Sequence, residues 1–359
     1  MIKTFELYLI KLFLKKILNI FLIFTSLILI LNLFEEISFF KDSSVNLFFP
    51  IFIAGLNVPS TIFEILPFIF LISTQFFFLE IINKNELEIL KTKGLSNLRI
   101  LRTLFLTSLF LGLIFSSIFY TLSAKSKFTY LKIKNSYSND NKYLAVIKES
   151  GLWIKDEIDN KIFIITSNRI FNDLLIDVSI HEFDNNFDLI RVIESEKVNI
   201  SKFEWVIHNP LIFANNKTVR LKEELLVMTH FDQNKINSLF RNLSSLNLFQ
   251  LLKLKKDYSS LGYSITEVST HLHKLYSLPL FVSIMTVLTS IIMFNNKRNH
   301  SVIAHLILGI LLSVIIYYLY FLFNLLGENG KLPIILSIYL PFVILLLITL
   351  IGMIKLNEK

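Results

Sequence analysis

The stretch Leu174-Leu175-Ile176-Asp177-Val178-Ser179-Ile180-His181-Glu182-Phe183 decides the fold, because it differs in kind from most of the chain around it. Ile176, Val178 and Ile180 alternate with Asp177, Ser179 and His181, as a strand wet on one face requires. Short runs of the same character lie on either side: Leu144-to-Ile147, Leu152-to-Ile154, Ile162-to-Ile165, Leu189-to-Ile193, Phe203-to-Ile207 and Val219-to-Leu221. Asp156-to-Asn160, Asp184-to-Asn186 and Asn209-Pro210 read as the turns between them. Many short strands broken by turns predict an antiparallel sandwich or jelly roll. Leucines return to helical spacing from Asn234 to Leu254 (Leu239, Leu243, Leu246, then Phe249 for leucine), which predicts a helix leading out of the sheet. Residues 123–275 carry 21 Lys+Arg and 18 Asp+Glu, so this part is solvated and nearly balanced in charge.

Outward from that insertion the material changes. The 359-residue chain is 53% hydrophobic and 18% charged, with a mean hydropathy of +0.60. Soluble domains carry about 45–50% apolar and roughly 25% charged residues, so the excess belongs to lipid-facing segments. A spanning helix needs about 20 largely apolar residues. Six stretches qualify: Ile17–Phe34, Leu56–Ile82, Leu101–Leu122, Tyr276–Phe294, Ser301–Leu326 and Leu332–Ile354. Pro59 and Pro67 interrupt the second and Pro279 opens the fourth, which membrane helices tolerate when neighbours satisfy the freed backbone. The first is too long for a signal peptide, and Glu35-Glu36-Ile37-Ser38 offers no cleavage site.

Basic residues in the short loops set the orientation. Lys3, Lys11, Lys15, Lys16, Lys84, Lys91, Lys93, Arg99, Arg102, Lys297, Arg298, Lys355 and Lys359 fall on one side, against Lys41 and Lys331 on the other. Both termini are therefore expected in the cytoplasm, with the β-rich insertion outside. The expected fold is an α+β membrane protein: six transmembrane helices arranged 3+3 around an external antiparallel β-jelly-roll-like domain. Its parts are residues 1–122 (three spans), 123–275 (the β-rich domain with its return helix) and 276–359 (three more spans).

Several chemistries are excluded. There is no cysteine, hence no disulfide framework, cysteine-ligated metal or thiol catalysis. The sequence has no phosphate-cradling glycine motif, no H-E-x-x-H and no visible Ser/His/Asp set. His271 and His273 are the one close histidine pair, and a spacing of two puts them on different faces of a helix. The basic residues of the insertion form no nucleic-acid track. No cofactor, metal or catalytic residue is expected, and the chain is not expected to be an enzyme itself.

One loop carries more information. In Asn83-Lys84-Asn85-Glu86-Leu87-Glu88-Ile89-Leu90-Lys91-Thr92-Lys93-Gly94-Leu95-Ser96, Asn85 with Glu88 reads as a capping box. Gly94 suits the left-handed position that ends a helix, and Ser96 can cap the next one. The prediction is a short helix at about residues 84–94, between two spans. It is either an ordinary interfacial connector or a coupling helix that docks on a cytoplasmic ATPase. Within the spans, Glu64 is the costly charge. It either lines a cavity or pairs with a partner subunit, or it sits in the interface. Glu35 and Glu36 read equally as the wet end of the first span.

Asn85-Glu86-Leu87 with Gly94-Leu95-Ser96 resembles the cytoplasmic helix of the lipopolysaccharide-export permeases LptF and LptG. So does the plan of three spans, β-rich domain and three spans. Ser150-Gly151-Leu152-Trp153-Ile154-Lys155-Asp156 is more similar to LptG than to LptF, and Leu272-to-Leu280 with Met285 resembles the start of the fourth LptG span. Val58-Pro59 and Leu66-Pro67-Phe68 also fit. The resemblance implies a permease subunit that takes lipopolysaccharide from the outer leaflet of the inner membrane to a periplasmic bridge. It implies an LptB-type ATPase dimer, an LptF-type sister permease and an LptC-type bitopic partner. By the same likeness Glu86, Leu87, Leu90, Gly94 and Ser96 form the ATPase-coupling site, and Asn32, Glu35, Glu36 and Glu64 are lipid-cavity candidates. Some members carry lysines near the outer end of span one; Leu31-to-Ser38 here is acidic instead. The rival readings are a non-transport scaffold that binds an envelope protein, and a permease for another lipid.

Overall fold

The computed structural model describes residues 4–41, 45–46, 48–137, 152–158, 160–171, 173–214, 217–221, 223–233, 235–236, 242–260, 263–294 and 302–357. The run Leu144-to-Ile147, Ser150, Gly151, Asn234, Leu239, Lys297 and Arg298 lie outside them. The chain divides into two compact units, residues 1–127 with 265–359 and residues 128–264.

The first unit is helical. It contains α1 (Thr4–Phe39), α2 (Phe48–Glu64), α3 (Leu66–Asn83), α4 (Glu86–Thr92) and α5 (Asn97–Ile114). A π-turn (Phe115–Phe119) joins α5 to α6 (Tyr120–Ser136). After the sheet and α7 (Leu248–Ser260) come α8 (Thr266–Phe294), α9 (Val302–Glu328) and α10 (Ile334–Asn357). Six helices among the described residues are long and apolar enough to cross a membrane. Four of the spans differ clearly in extent from the sequence reading, and the first runs over Thr4–Phe39 rather than Ile17–Phe34. The stretch Leu56–Ile82 is two helices, broken at Ile65 (φ −98°, ψ 8°). Pro67 in the first turn of α3 has no N–H to offer the carbonyl four residues back, and its ring crowds it, so a helix ends and a new one starts there. Conversely, the third and fourth spans run beyond their apolar cores, to Asn97–Ser136 and Thr266–Phe294.

α8 is the most buried span and packs on α3, α5, α9 and α10. Its inward residues alternate bulk with small hydroxyls. Ser283, Thr286, Thr289 and Ser290 are buried, and each satisfies itself by donating to the carbonyl four residues back. Small residues let helices approach closely in lipid. At Gly112 of α5 the approach to the α8 backbone is close: a Cβ there would lie 2.6 Å from Pro279 Cα. Phe281 anchors the core, with its ring 4.5 Å from Tyr320 and 5.0 Å from Phe342.

The second unit is one curled antiparallel sheet: β1 (Leu152–Ile158), β2 (Lys161–Phe171), β3 (Leu174–Phe183), β4 (Leu189–Asn199), β5 (Glu204–His208), β6 (Leu211–Ala214), β7 (Lys217–Arg220) and β8 (Leu225–Met228). The order is β1-β2-β3-β4-β5-β8, and β4 branches because β6 pairs with its first half and β5 with its last residues. Trp205 is fully buried and donates its indole N–H to Phe231 O at 2.6 Å. Asp156-to-Asn160 is not all turn: β1 continues through Ile158, and Asn160 takes a left-handed conformation (φ 61°). The helix expected over Asn234–Leu254 is not a single run: Lys235 and Ile236 are helical, and further elements follow. Leu243–Ser245 is a 3₁₀ turn capped by Asn242, and α7 starts at Leu248. β6 and β8 were not anticipated; at four residues each they are too short to show a period.

β3 departs from its predicted alternation. Leu175, Val178, Ile180 and Glu182 are the buried side chains, and Ile176 is half-buried. Asp177 has φ 52° and forms no pair in the ladders to β2 and β4, where it stands level with Asn168 and Glu196; the register is the same on both sides of it, and the burial of the strand changes phase there.

Candidate functional site

The cytoplasmic-loop prediction meets a seven-residue helix, α4, with no fully buried side chain. Its two ends are built differently from one another. Gly94 has φ 84°, and the Leu95 N–H reaches Leu90 O at 3.0 Å, which closes the helix in a left-handed cap. Ser96 has an extended backbone and accepts from Arg99 N–H at 3.4 Å, capping α5. The capping box is absent. Asn85 is left-handed (φ 56°, ψ 13°) and its side chain makes no cap bond. An N-cap residue normally has an extended backbone that aims its side chain at the first free N–H groups; Asn85 is turned away because it also leaves the end of α3. Glu86, Leu87 and Leu90 are half-buried on α4, while Ile89 points out.

Side chains tie α4 to its neighbours. Tyr8 of α1 donates its hydroxyl to Glu86 Oε2 at 2.6 Å. Lys91 sits over the Phe294 ring of α8, 5.6 Å from its centroid. Just before α4, Lys84 pairs with Glu80 at 2.6 Å, and Lys16 of α1 closes on the other oxygen of the same carboxylate. That carboxylate holds the Lys84 ammonium above its ordinary range. On α5, Arg102 pairs with Glu6 at 3.9 Å and Arg99 lies over the Phe5 ring. The first turns of α1 thus form a polar hub between α3, α4 and α5. Sequence reasoning did not find Tyr8, Lys16 or Glu80 as members; Tyr8 and Lys16 meet partners 78 and 64 residues away, which no local pattern marks.

The lipid-cavity candidates divide. Asn32 and Glu36, one turn apart on α1, are both buried, Glu36 completely; Glu36 is therefore not the solvated helix end that Glu35 is. The Asn32 amide nitrogen has no hydrogen-bond partner among the described residues. Glu64 is exposed at the last position of α2, and its charge reaches the Tyr317 phenol. Near the same break, Lys127 donates to Asn57 Oδ1 at 2.7 Å. Separately, an apolar cavity of about 420 Å³ lies between α8, α9 and α10, walled by residues such as Leu288, Ile316, Leu319, Phe323, Pro341 and Ile348. No cluster of three or more His, Asp or Glu side chains that could hold a metal occurs among the described residues.

The family model described as "Lipopolysaccharide export system permease LptF/LptG" matches residues 7–355, nearly the whole chain. No curated protein sequence matches it.

Proposed function

The chain belongs to the lipopolysaccharide export permease family LptF/LptG, and from that premise we propose that it is an LptG-like subunit of an ATP-driven lipopolysaccharide extractor. A member of this family is a multi-pass inner-membrane transport subunit, not a catalyst in its own right. The finer reading is that both termini are cytoplasmic and the sheet is periplasmic. α4 docks on an LptB-type ATPase dimer, an LptF-type sister completes the lipid path, and an LptC-type partner receives the cargo. The observation that supports it best is α4 itself: a short helix between two spans, closed at its C-terminal end by Gly94, with no buried side chain and a carboxylate at its start. A helix so placed gains little from its own packing, so its residues are there for contact with something outside this chain.

In this reading ATP closure moves the coupling helices of both permeases and shifts the spans behind them, which squeezes out a bound amphiphile. Acyl chains stay against apolar side chains while sugars stay in water. Buried polar groups such as Asn32 and Glu36 face the interior, as charged groups in lipid generally do. Glu64, exposed on its own subunit, is suited to the sister subunit or the cargo.

The test is mild-detergent purification of the tagged chain followed by mass spectrometry. Recovery of an ATPase and a homologous six-span subunit is expected, with bound lipopolysaccharide, and loss of the ATPase from a Glu86→Lys chain. The chain alone, or with envelope proteins and no ATPase, would favour a scaffold; a different co-purified lipid would reassign the cargo.

A further inference from the structure

α4 offers little apolar surface to the bundle, so the bonds of its side chains decide what it moves. Its first residue, Glu86, is held from α1 by Tyr8, and the second Glu86 oxygen carries no bond among the described residues. One carboxylate can therefore face two ways, with Oε2 on a phenol of its own chain and Oε1 toward a partner. Tyr8 sits on a helix that is unbroken from Thr4 to Phe39 and contains no proline. Asn32 and Glu36 lie on the same helix, 24 and 28 residues further on. A helix of that kind moves as a rod over many turns, since sharp bends need proline, a π-bulge or an inserted side chain.

We propose that Tyr8 is a positioning residue of the coupling site, which fixes Glu86 to the foot of α1 so that α1, rather than the α3–α5 connection alone, takes up the displacement of α4. The inference rests on the reading of Glu86 as the ATPase contact. The foot of α1 is built for such a load. Lys16 is joined to Glu80 of α3, Glu6 to Arg102 of α5, and Phe5 to Arg99 of α5. These pairs fasten α1 to spans on both sides of α4, and Tyr8 is its bond to α4 itself. A hydroxyl is the right group for the task. It donates to one carboxylate oxygen and brings no charge, so the carboxylate keeps its full charge for a cationic partner. A lysine or arginine in its place would neutralise that charge.

The experiment uses the full chain assembled with its sister permease and ATPase in lipid discs loaded with lipopolysaccharide. The variants are Tyr8→Phe and, as a check on the underlying reading, Glu86→Lys. Three quantities are read: ATPase retained on purification, lipopolysaccharide released per ATP hydrolysed, and a label-to-label distance. The chain lacks cysteine, so spin labels at Lys11→Cys and Ile89→Cys, both exposed sites, report on α1 against α4 alone. Tyr8→Phe is expected to keep the ATPase and to lower release per ATP by roughly 3- to 10-fold, the factor that one net hydrogen bond is worth. Its label distance should broaden on adding ATP, while the distance in the otherwise unchanged chain stays narrow. A purely structural tyrosine would leave both the ratio and the ATP-dependent distance unchanged. Unchanged release and distance in Tyr8→Phe, with Glu86→Lys still losing the ATPase, would overturn the inference and spare the Glu86 contact. Loss of the ATPase from Tyr8→Phe would also overturn it, since the hydroxyl would then serve docking. Retention of the ATPase by Glu86→Lys would overturn the reading beneath it as well.

Discussion

Arg191→Met and Glu182→Leu act on the same ion cluster and should differ in a definite order. Glu182 is 1% exposed on β3, between Lys161 of β2 at 2.8 Å and Arg191 of β4 at 2.5 Å, one cation on each oxygen. The cations are 47% and 34% exposed, so water can take either of them back but cannot reach the carboxylate. Stranding a buried charge costs about 3–5 kcal/mol when its partner is removed. Lys161 remains in Arg191→Met, so about half of that, ~2 kcal/mol, is expected. Glu182→Leu instead removes the buried charge, frees both cations to water and adds an apolar group beside Ile180 on the buried face. Its net effect should stay within about 1 kcal/mol of zero. Trp153 and Trp205 are the chain's two tryptophans and both lie in the sheet unit, so fluorescence during urea unfolding of the full chain in detergent reads that unit alone. With a slope of about 2 kcal/mol per molar urea, the Arg191→Met midpoint should fall by about 1 M. A Glu182→Leu chain less stable than Arg191→Met would refute the reasoning. Acid gives a second readout. Burial pushes the Glu182 carboxyl up, but Lys161 and Arg191 outweigh it and hold it below 4.5. The folded value lies below the unfolded one, so the stabilisation is present above the unfolded pKa and is lost as pH falls through the folded one. Glu182→Leu should lack that acid-sensitive component.

Two further substitutions test helix packing and the α4–α5 corner. Gly112→Ala places a methyl 2.6 Å from Pro279 Cα and 2.8 Å from Val282 Cγ2, against backbone that cannot step aside; it should cost about 1–3 kcal/mol and lower the melting temperature in detergent. Gly94→Ala meets no atom within 4 Å, so its cost is the left-handed backbone alone, about 1 kcal/mol, and Gly94→Asn should recover much of it in the same melting assay.

What could be read from the sequence was whatever repeats or punctuates locally. β3 is bounded where its alternation starts and stops, the Asp184 turn forms with its carboxylate accepting from Asn186 and Asp188 N–H, and Gly94 and Ser96 adopt the conformations their residue types favour. Asn85 misled because asparagine serves both as an N-cap and as a left-handed residue, and only the exit direction of α3 chooses between them. Glu36 stayed open between a cavity residue and the wet end of a span, because its burial depends on packing that no local pattern encodes. α4 was legible as a bare helix between two spans; the hub at the foot of α1 was not, since Tyr8 and Glu86 meet only after three helices have packed.

The sheet shows how a long-range property can rest on single residues. Ser167, Val178 and Ser195 stand opposite one another on β2, β3 and β4, and so do Arg169, Ile176 and Lys197. Between those two rows each strand carries one exposed residue outside the ladder pairs, Asn168, Asp177 and Glu196, and these three stand level with one another. Ser167 Oγ donates to Ile176 O at 2.8 Å and Ser195 Oγ to His208 O at 2.6 Å, so hydroxyls bond carbonyls beside that unpaired row. Burial changes phase at the same level in all three strands, from Ser167 to Ile170, from Val178 to Leu175 and from Ser195 to Val198. A phase change in one strand alone would put its apolar residues on the wet face beside neighbours still in phase. Because all three strands change phase at one level, the register is kept and the buried face stays continuous. Deleting Asp177 alone should therefore lower the urea midpoint more than deleting Asn168, Asp177 and Glu196 together. The single deletion leaves Leu175 on the wrong face between two strands that still change phase; the triple deletion restores agreement among them. The reverse order would mean that the three residues act independently, each holding its own local bond pattern.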